Sequence, residues 1–193
     1  PVICDMSSDI FSKKIDVSKF GLIYAGAQKN MGPAGTTLVI IKDDLLGNVR
    51  REIPTILNYQ THIDKKSMFN TPPVFSIYAS MLTLEWLKKN GGIDWIEKAN
   101  NKKASMMYQE IDRNTLFDGT AKKEDRSTMN ATFLLNQASL KSEFELACKN
   151  EGINGINGHR SVGGYRASMY NALSTKSIKK LIEIMQKLEK KYT

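Results

Sequence analysis

The sequence predicts an α/β protein in two parts: a sheet-bearing portion over residues 1–90 and a small α/β sandwich over residues 91–193. Two observations point there. Residues 1–41 hold three short, nearly continuous apolar runs rich in β-branched and aromatic residues, as in strands covered on both faces of an α/β sheet. The second part alternates periods in the order strand, strand, helix, strand, helix.

Taken in order, strands are expected at 2–6, 22–25 and 36–41, and a short helix at 43–50 with Asp43 or Asp44 near its start. Residues 51–69 show no period and read as loop. Asn70-Thr71-Pro72-Pro73 opens a helix running to about residue 90, since Asn and Thr cap well and Pro fits a first turn; Gly91-Gly92 ends it. A second helix follows over 94–113. Strands at 116–119 and 131–136 flank a charged turn, 122–126, and a helix spans 142–150 with Gly152 at its end. A strand at 164–170 precedes a last helix capped by Ser174 or Thr175.

The 193 residues carry a net charge of +8, which invites a nucleic-acid reading. Much of that excess is Lys176, Lys179, Lys180, Lys187, Lys190 and Lys191, interleaved with Ile178, Leu181, Ile182, Met185 and Leu188. That pattern is the solvated face of an amphipathic helix, so no nucleic-acid partner is expected. No apolar run reaches membrane-spanning length, Cys4 and Cys148 read as separate buried thiols, and no metal-ligand spacing occurs. A cytoplasmic protein is expected. The first residues, Pro1-Val2-Ile3-Cys4-Asp5, read as a strand already under way, so the chain is expected to be the C-terminal portion of a longer protein.

Lys29 stands in Gly26-Ala27-Gln28-Lys29-Asn30-Met31-Gly32-Pro33-Ala34-Gly35, between the second and third strands. A lysine on such a turn is either a solvated loop cation or an amine nucleophile of the Schiff-base kind. Asp5 closes the first strand, where α/β sheets place functional side chains; it equally suits a turn cap with Ser7 or Ser8. The free N–H groups of the helix start at Asn70 and Thr71 also suit a phosphate. His159, Arg160 and Arg166 gather an imidazole and two guanidiniums near Gly163-Gly164, as surface charge or as a carboxylate- and phosphate-binding set. His62 reads as a loop histidine, and Trp86 and Trp95 as helix residues at core-like spacing.

Four blocks closely resemble the phosphoserine aminotransferase family, a homodimeric class V branch of the fold-type I pyridoxal-phosphate enzymes. They are Asp5-Met6-Ser7-Ser8, Tyr24-Ala25 with the Lys29 turn, Asn70-Thr71-Pro72-Pro73, and Gly158-His159-Arg160-Ser161-Val162-Gly163-Gly164-Tyr165-Arg166-Ala167-Ser168. The resemblance runs from the first residue to the last helix. It implies the remainder of the large mixed-sheet cofactor domain over 1–90 and the small domain over 91–193. It implies pyridoxal 5'-phosphate as cofactor, with Lys29 as its Schiff-base lysine and proton carrier. Asp5 would pair with the pyridine nitrogen, and Gln28 would give a polar contact beside the ring. Asn70 and Thr71 would reach the cofactor phosphate of the second subunit, so that the active site is shared. His159 and Arg160 would hold the substrate phosphate, and Arg166 the α-carboxylate.

The activity implied is ping-pong amino transfer between glutamate and 3-phosphohydroxypyruvate, giving O-phosphoserine and 2-oxoglutarate in serine biosynthesis, with an extension to pyridoxine biosynthesis. The family's ring-stacking aromatic, phosphate loop and hydroxyl-binding threonine have no match in this chain. Two further readings stay open. One is another fold-type I aminotransferase or a desulfurase; the His159-Arg160 pair argues against a small neutral substrate, and Cys148 on a helix argues against sulfur transfer. The other is a non-catalytic fragment that associates with a second copy or with its other half.

Overall fold

In the computed structural model, which describes residues 1–160 and 163–193, β1 (Ile3–Asp5), β2 (Leu22–Gly26) and β3 (Thr37–Ile41) make a mixed sheet in that order. β1 runs parallel to β2, pairing Asp5 with Tyr24; β2 runs antiparallel to β3, pairing Gly26 with Thr37. Ser161 and Val162 of the fourth block lie outside the described residues. The chain divides into two compact units, Pro1–Ile93 and Asp94–Thr193.

On one face of the first sheet, Ile23 and Ala25 of β2 are buried in a cluster with Met6, Ile10, Ala27 and Met31; Ile3 and Tyr24 lie on the other face.

The helix expected at 43–50 shrinks to a 3-10 turn, Asp43–Leu45, because Gly47 turns left-handed at φ 74°. The stretch 51–69 is not all loop. It holds a second 3-10 turn, Thr55–Leu57, and α1 (Tyr59–Asp64), whose first turn Asn58 caps by accepting the Gln60 N–H at 3.0 Å. His62 therefore lies on a helix, with Nε2 2.8 Å from the Ile56 carbonyl and its ring edge-on to Phe69.

α2 (Val74–Lys89) starts later than its sequence suggests. Each residue before a proline is pushed out of the helical region, so neither Asn70 nor Thr71 caps it, and Pro73 takes the N-cap position. Asn70 donates its amide to the Thr71 carbonyl instead. Gly91, at φ 110°, ends the helix, and α3 (Gly92–Arg113) begins at once.

In the second unit, β4 (Phe117–Gly119), β5 (Asn130–Leu135) and β6 (Tyr165–Ser168) form an antiparallel sheet in that order. α4 (Lys141–Asn150) and α5 (Thr175–Tyr192) complete the expected alternation. Ser174 caps α5 by accepting the Ser177 N–H at 3.3 Å. The core stacks Phe117, Phe133, Phe144 and Tyr165 ring against ring, the Phe144–Tyr165 centroids 4.9 Å apart. Ile178, Leu181, Ile184, Met185 and Leu188 of α5 close it, so the C-terminal lysines do face outward.

Another lysine departs from that outward rule. Lys103 of α3 is 1% exposed and donates Nζ to the carbonyls of Met169 (2.9 Å) and Tyr170 (2.8 Å), just past β6. One turn earlier on the same helix, Asn100 donates to the Asn171 side chain at 2.9 Å. Burial pulls the Lys103 ammonium down to about 8.

Candidate active site

The turn between β2 and β3 is held from three sides. Its base closes through Ala27 N to Thr36 O (2.9 Å), and its tip through Met31 N and Gly32 N to Ala27 O. Beneath it lies α2: Ser76 Oγ donates to Ala34 O at 2.8 Å, and a Cβ added at Gly32 would come within 3.1 Å of the Ser80 Cα. The glycine thus lets the turn lie directly on helix backbone. Gln28 folds back over Gly26, where its Oε1 occupies the space a Cβ would need. Lys29 is exposed at the outer rim.

The turn after β1 meets this rim. Asp5, exposed at the strand end, accepts the Ser7 N–H at 2.8 Å. The Ser7 hydroxyl and amide, then the Tyr24 hydroxyl and the charge of Lys29, hold the Asp5 carboxyl below its usual value. The negative charge of Asp5 in turn raises the Tyr24 phenol. Ser7 Oγ also accepts the Gly26 N–H at 3.0 Å, and Lys29 Nζ donates to Ser8 Oγ at 2.8 Å. Asn30, 5% exposed, donates to the carbonyls of Ser8 (3.2 Å) and Ile10 (3.1 Å). Asp5 and Lys29 therefore meet at one end of one sheet, the carboxylate kept anionic chiefly by Ser7 and the amine exposed. Tyr24, Ser7, Ser8 and Asn30 complete the edge. Ser7 holds Asp5 as the turn cap the sequence allowed, whereas Asn30 had no expected role, because its contacts join turns about twenty residues apart.

That donor set fits pyridoxal phosphate: a carboxylate for a protonated ring nitrogen and an amine for the aldehyde, at the C-terminal end of parallel strands. Gln28 is exposed beside them, and Asn70 and Thr71 lie on the exposed approach to α2.

In the second unit, His159 and Arg160 sit on a turn closed by Gly163 N to His159 O (2.8 Å) and Gly158 N to Gly164 O (2.8 Å). A Cβ at Gly158 would fall 2.0 Å from the Gly163 oxygen, so the turn requires glycine there. Gly163 and Gly164 both take positive φ, 75° and 63°. His159 and Arg160 line a cleft of about 450 Å³ with Lys141, Glu145 and Tyr165. Arg166 projects from the outer face of β6, opposite the buried Tyr165 and Ala167, and lines a separate cleft of about 660 Å³ with Ser168 and Lys176. Cys148 is 1% exposed on α4, and burial, then Glu145, pushes its thiol up to about 11, which disqualifies it as a nucleophile. Among the described residues, no helix is long and apolar enough to cross a membrane.

The fold has solved counterparts. The chain belongs to the class-V aminotransferase family, whose pattern matches residues 1–181. Within that class it is 64% identical to the phosphoserine aminotransferase of Flavobacterium psychrophilum, over 99% of this chain and 54% of that protein. The structure superposes with a TM-score of 0.95 on phosphoserine aminotransferase from Bacillus circulans subsp. alkalophilus, 44% identical, covering 100% of this chain and 54% of that one. The pyridoxal-phosphate-bound enzyme from Trichomonas vaginalis is 36% identical with a TM-score of 0.91, covering 96% and 53%. The chain spans about half the length of the curated relatives it matches (54%).

Proposed function

We propose that this chain is part of a cytoplasmic phosphoserine aminotransferase, moving an amino group between glutamate and 3-phosphohydroxypyruvate to give O-phosphoserine and 2-oxoglutarate in serine biosynthesis. Activity on the phosphorylated precursor of pyridoxine belongs to the same reading. Residues 1–90 are then the remainder of the large cofactor domain and residues 91–193 the small domain. The observation that carries the proposal is the meeting of two turns, Asp5 held by Ser7 at the end of β1 and Lys29 held by Ser8 on the β2–β3 turn, in a chain of this family.

Pyridoxal phosphate, when bound, supplies an electrophilic carbonyl and an electron-withdrawing ring. Asp5 would hold a proton on the pyridine nitrogen. Lys29 Nζ would take the amino acid's Cα proton and later return a proton, acting first as base and then as acid. Gln28 would give the ring a polar contact through its amide. Arg166 pairs with the α-carboxylate that both amino donors share, while His159 and Arg160 take the phosphate of phosphoserine or the side-chain carboxylate of glutamate. Asn70 and Thr71 serve the cofactor phosphate of a second copy, which makes the working unit a homodimer. An exposed apolar set on α1, α2 and the segment joining them supports this: Ile63, Phe69, Val74, Phe75, Tyr78 and Leu82, with Phe75 76% exposed.

The test is borohydride reduction of the full-length protein with pyridoxal phosphate, followed by peptide mapping. The label is expected on Lys29; a label elsewhere, or none, sinks the assignment. The same apolar set favours a second reading for the 193-residue chain by itself, that it associates without catalysing. An absorbance band near the visible on adding cofactor to this chain decides against that reading.

A further inference from the structure

The Lys29 amine has a built seat. Nζ donates to Ser8 Oγ at 2.8 Å. Ser8 sits in a turn closed by the Asp9 and Ile10 N–H groups, both donating to Met6 O at 3.1 and 2.8 Å. From the other side Asn30, the residue after the lysine, grips the Ser8 and Ile10 carbonyls. The lysine's own neighbour therefore fixes the backbone of the serine that receives its amine. Ser7 is engaged elsewhere, since its N–H serves Asp5 and its hydroxyl takes the Gly26 N–H. The two adjacent serines thus divide the carboxylate and the amine between them.

A hydroxyl both donates and accepts, so one partner serves the amine in either protonation state. It accepts from the ammonium and donates to the neutral nitrogen. The flexible four-carbon stem of a lysine otherwise leaves its nitrogen free to wander. We propose that Ser8 is a positioning residue for Lys29, seating the amine beside Asp5 while Nζ carries the migrating proton. The inference rests on the reading of Lys29 as the reactive amine. In the step concerned, the substrate Cα–H bond breaks, its proton forms a new N–H bond on Nζ, and its electron pair stays with the substrate carbon.

An amine held by a hydrogen bond reacts with an outside reagent more slowly than one that is free to turn away. The experiment follows the rate of Lys29 acetylation by acetic anhydride at one fixed pH, read by peptide mass spectrometry, in full-length protein freed of cofactor. Ser8→Ala is expected to speed it about threefold, and Ser8→Thr, which keeps the hydroxyl, to restore the original rate. In holoenzyme, Ser8→Ala is expected to lower kcat for both amino donors with KM unchanged. Asp5 is intact in every variant. An unchanged rate in Ser8→Ala, or a Ser8→Thr rate matching that of Ser8→Ala, overturns the proposal. If Ser8→Ala does not fold, Ser8→Cys, with its weaker acceptor, gives the same comparison. Wild-type borohydride labelling does not depend on Ser8, so a wrong lysine and a wrong seat give different results.

Discussion

Arg166 and Arg160 are both exposed, yet they should fail differently when removed. If Arg166 pairs with the α-carboxylate as proposed, Arg166→Ala is expected to raise KM for glutamate and phosphoserine alike by roughly ten- to a hundredfold. Arg160→Ala should hurt phosphoserine more than an unphosphorylated donor. Steady-state kinetics with both donors checks the division, and equal losses for the two donors in Arg160→Ala would count against it. Gly158→Ala forces a Cβ against the Gly163 oxygen and should lower stability by about 1–3 kcal/mol, read as a lower urea midpoint. At this scale the placing of Lys29 on the β2–β3 turn and of Asp5 at the end of β1 was legible, since each stands in a recognisable local setting. Ser8 and Asn30 were not, because a serine and an asparagine acquire meaning only when two separate turns meet.

At the scale of elements, Lys103 gives the clearest prediction. Its ammonium is buried under the carbonyls that follow β6, and its folded pKa of about 8 lies below the ordinary lysine value of 10.5. Between those values the unfolded chain binds more protons than the folded one, so this lysine makes the fold more stable as pH rises from about 8 toward 10.5. Lys103→Met should remove that increment while leaving two carbonyls without a donor. Urea midpoints of both proteins across that window test it, and identical pH slopes would sink the argument. Substituting the α5 cap, Ser174→Ala, should cost about 1 kcal/mol without touching the pH slope. Strands and long amphipathic helices were readable from period alone. α1 was not, because its six residues bury no stripe, and the start of α2 was misplaced, because two prolines outvote two good caps.

Across the whole molecule, α2 is unlike α5: apolar residues lie around its circumference, and Val74, Phe75, Ile77, Tyr78, Met81 and Leu82 are all exposed. Such a surface needs a partner in a well-behaved protein. In the full-length protein, Phe75→Ser is expected to shift sedimentation toward a smaller species and to reduce activity in parallel; a variant of unchanged mass and activity would refute the shared-site dimer. The α/β class was legible because runs of β-branched residues and Gly/Pro punctuation are local signals. The direction of the strands was not, since pairing between separate runs is not a local signal.

The antiparallel pairing of β2 with β3 has a kinetic meaning as well. The lysine rides on a hairpin whose strands are joined by a short turn, whereas Asp5 arrives by a parallel pairing across the segment 6–21. Hairpins close in about 1–10 μs, and pairings between more distant segments pay a larger loop-closure entropy. The amine should thus find its geometry early in folding, and the carboxylate that makes it useful should dock afterwards. Amide exchange on refolding protein should protect Ala27 before Met6, whose N–H closes on Tyr24 O only once β1 has docked.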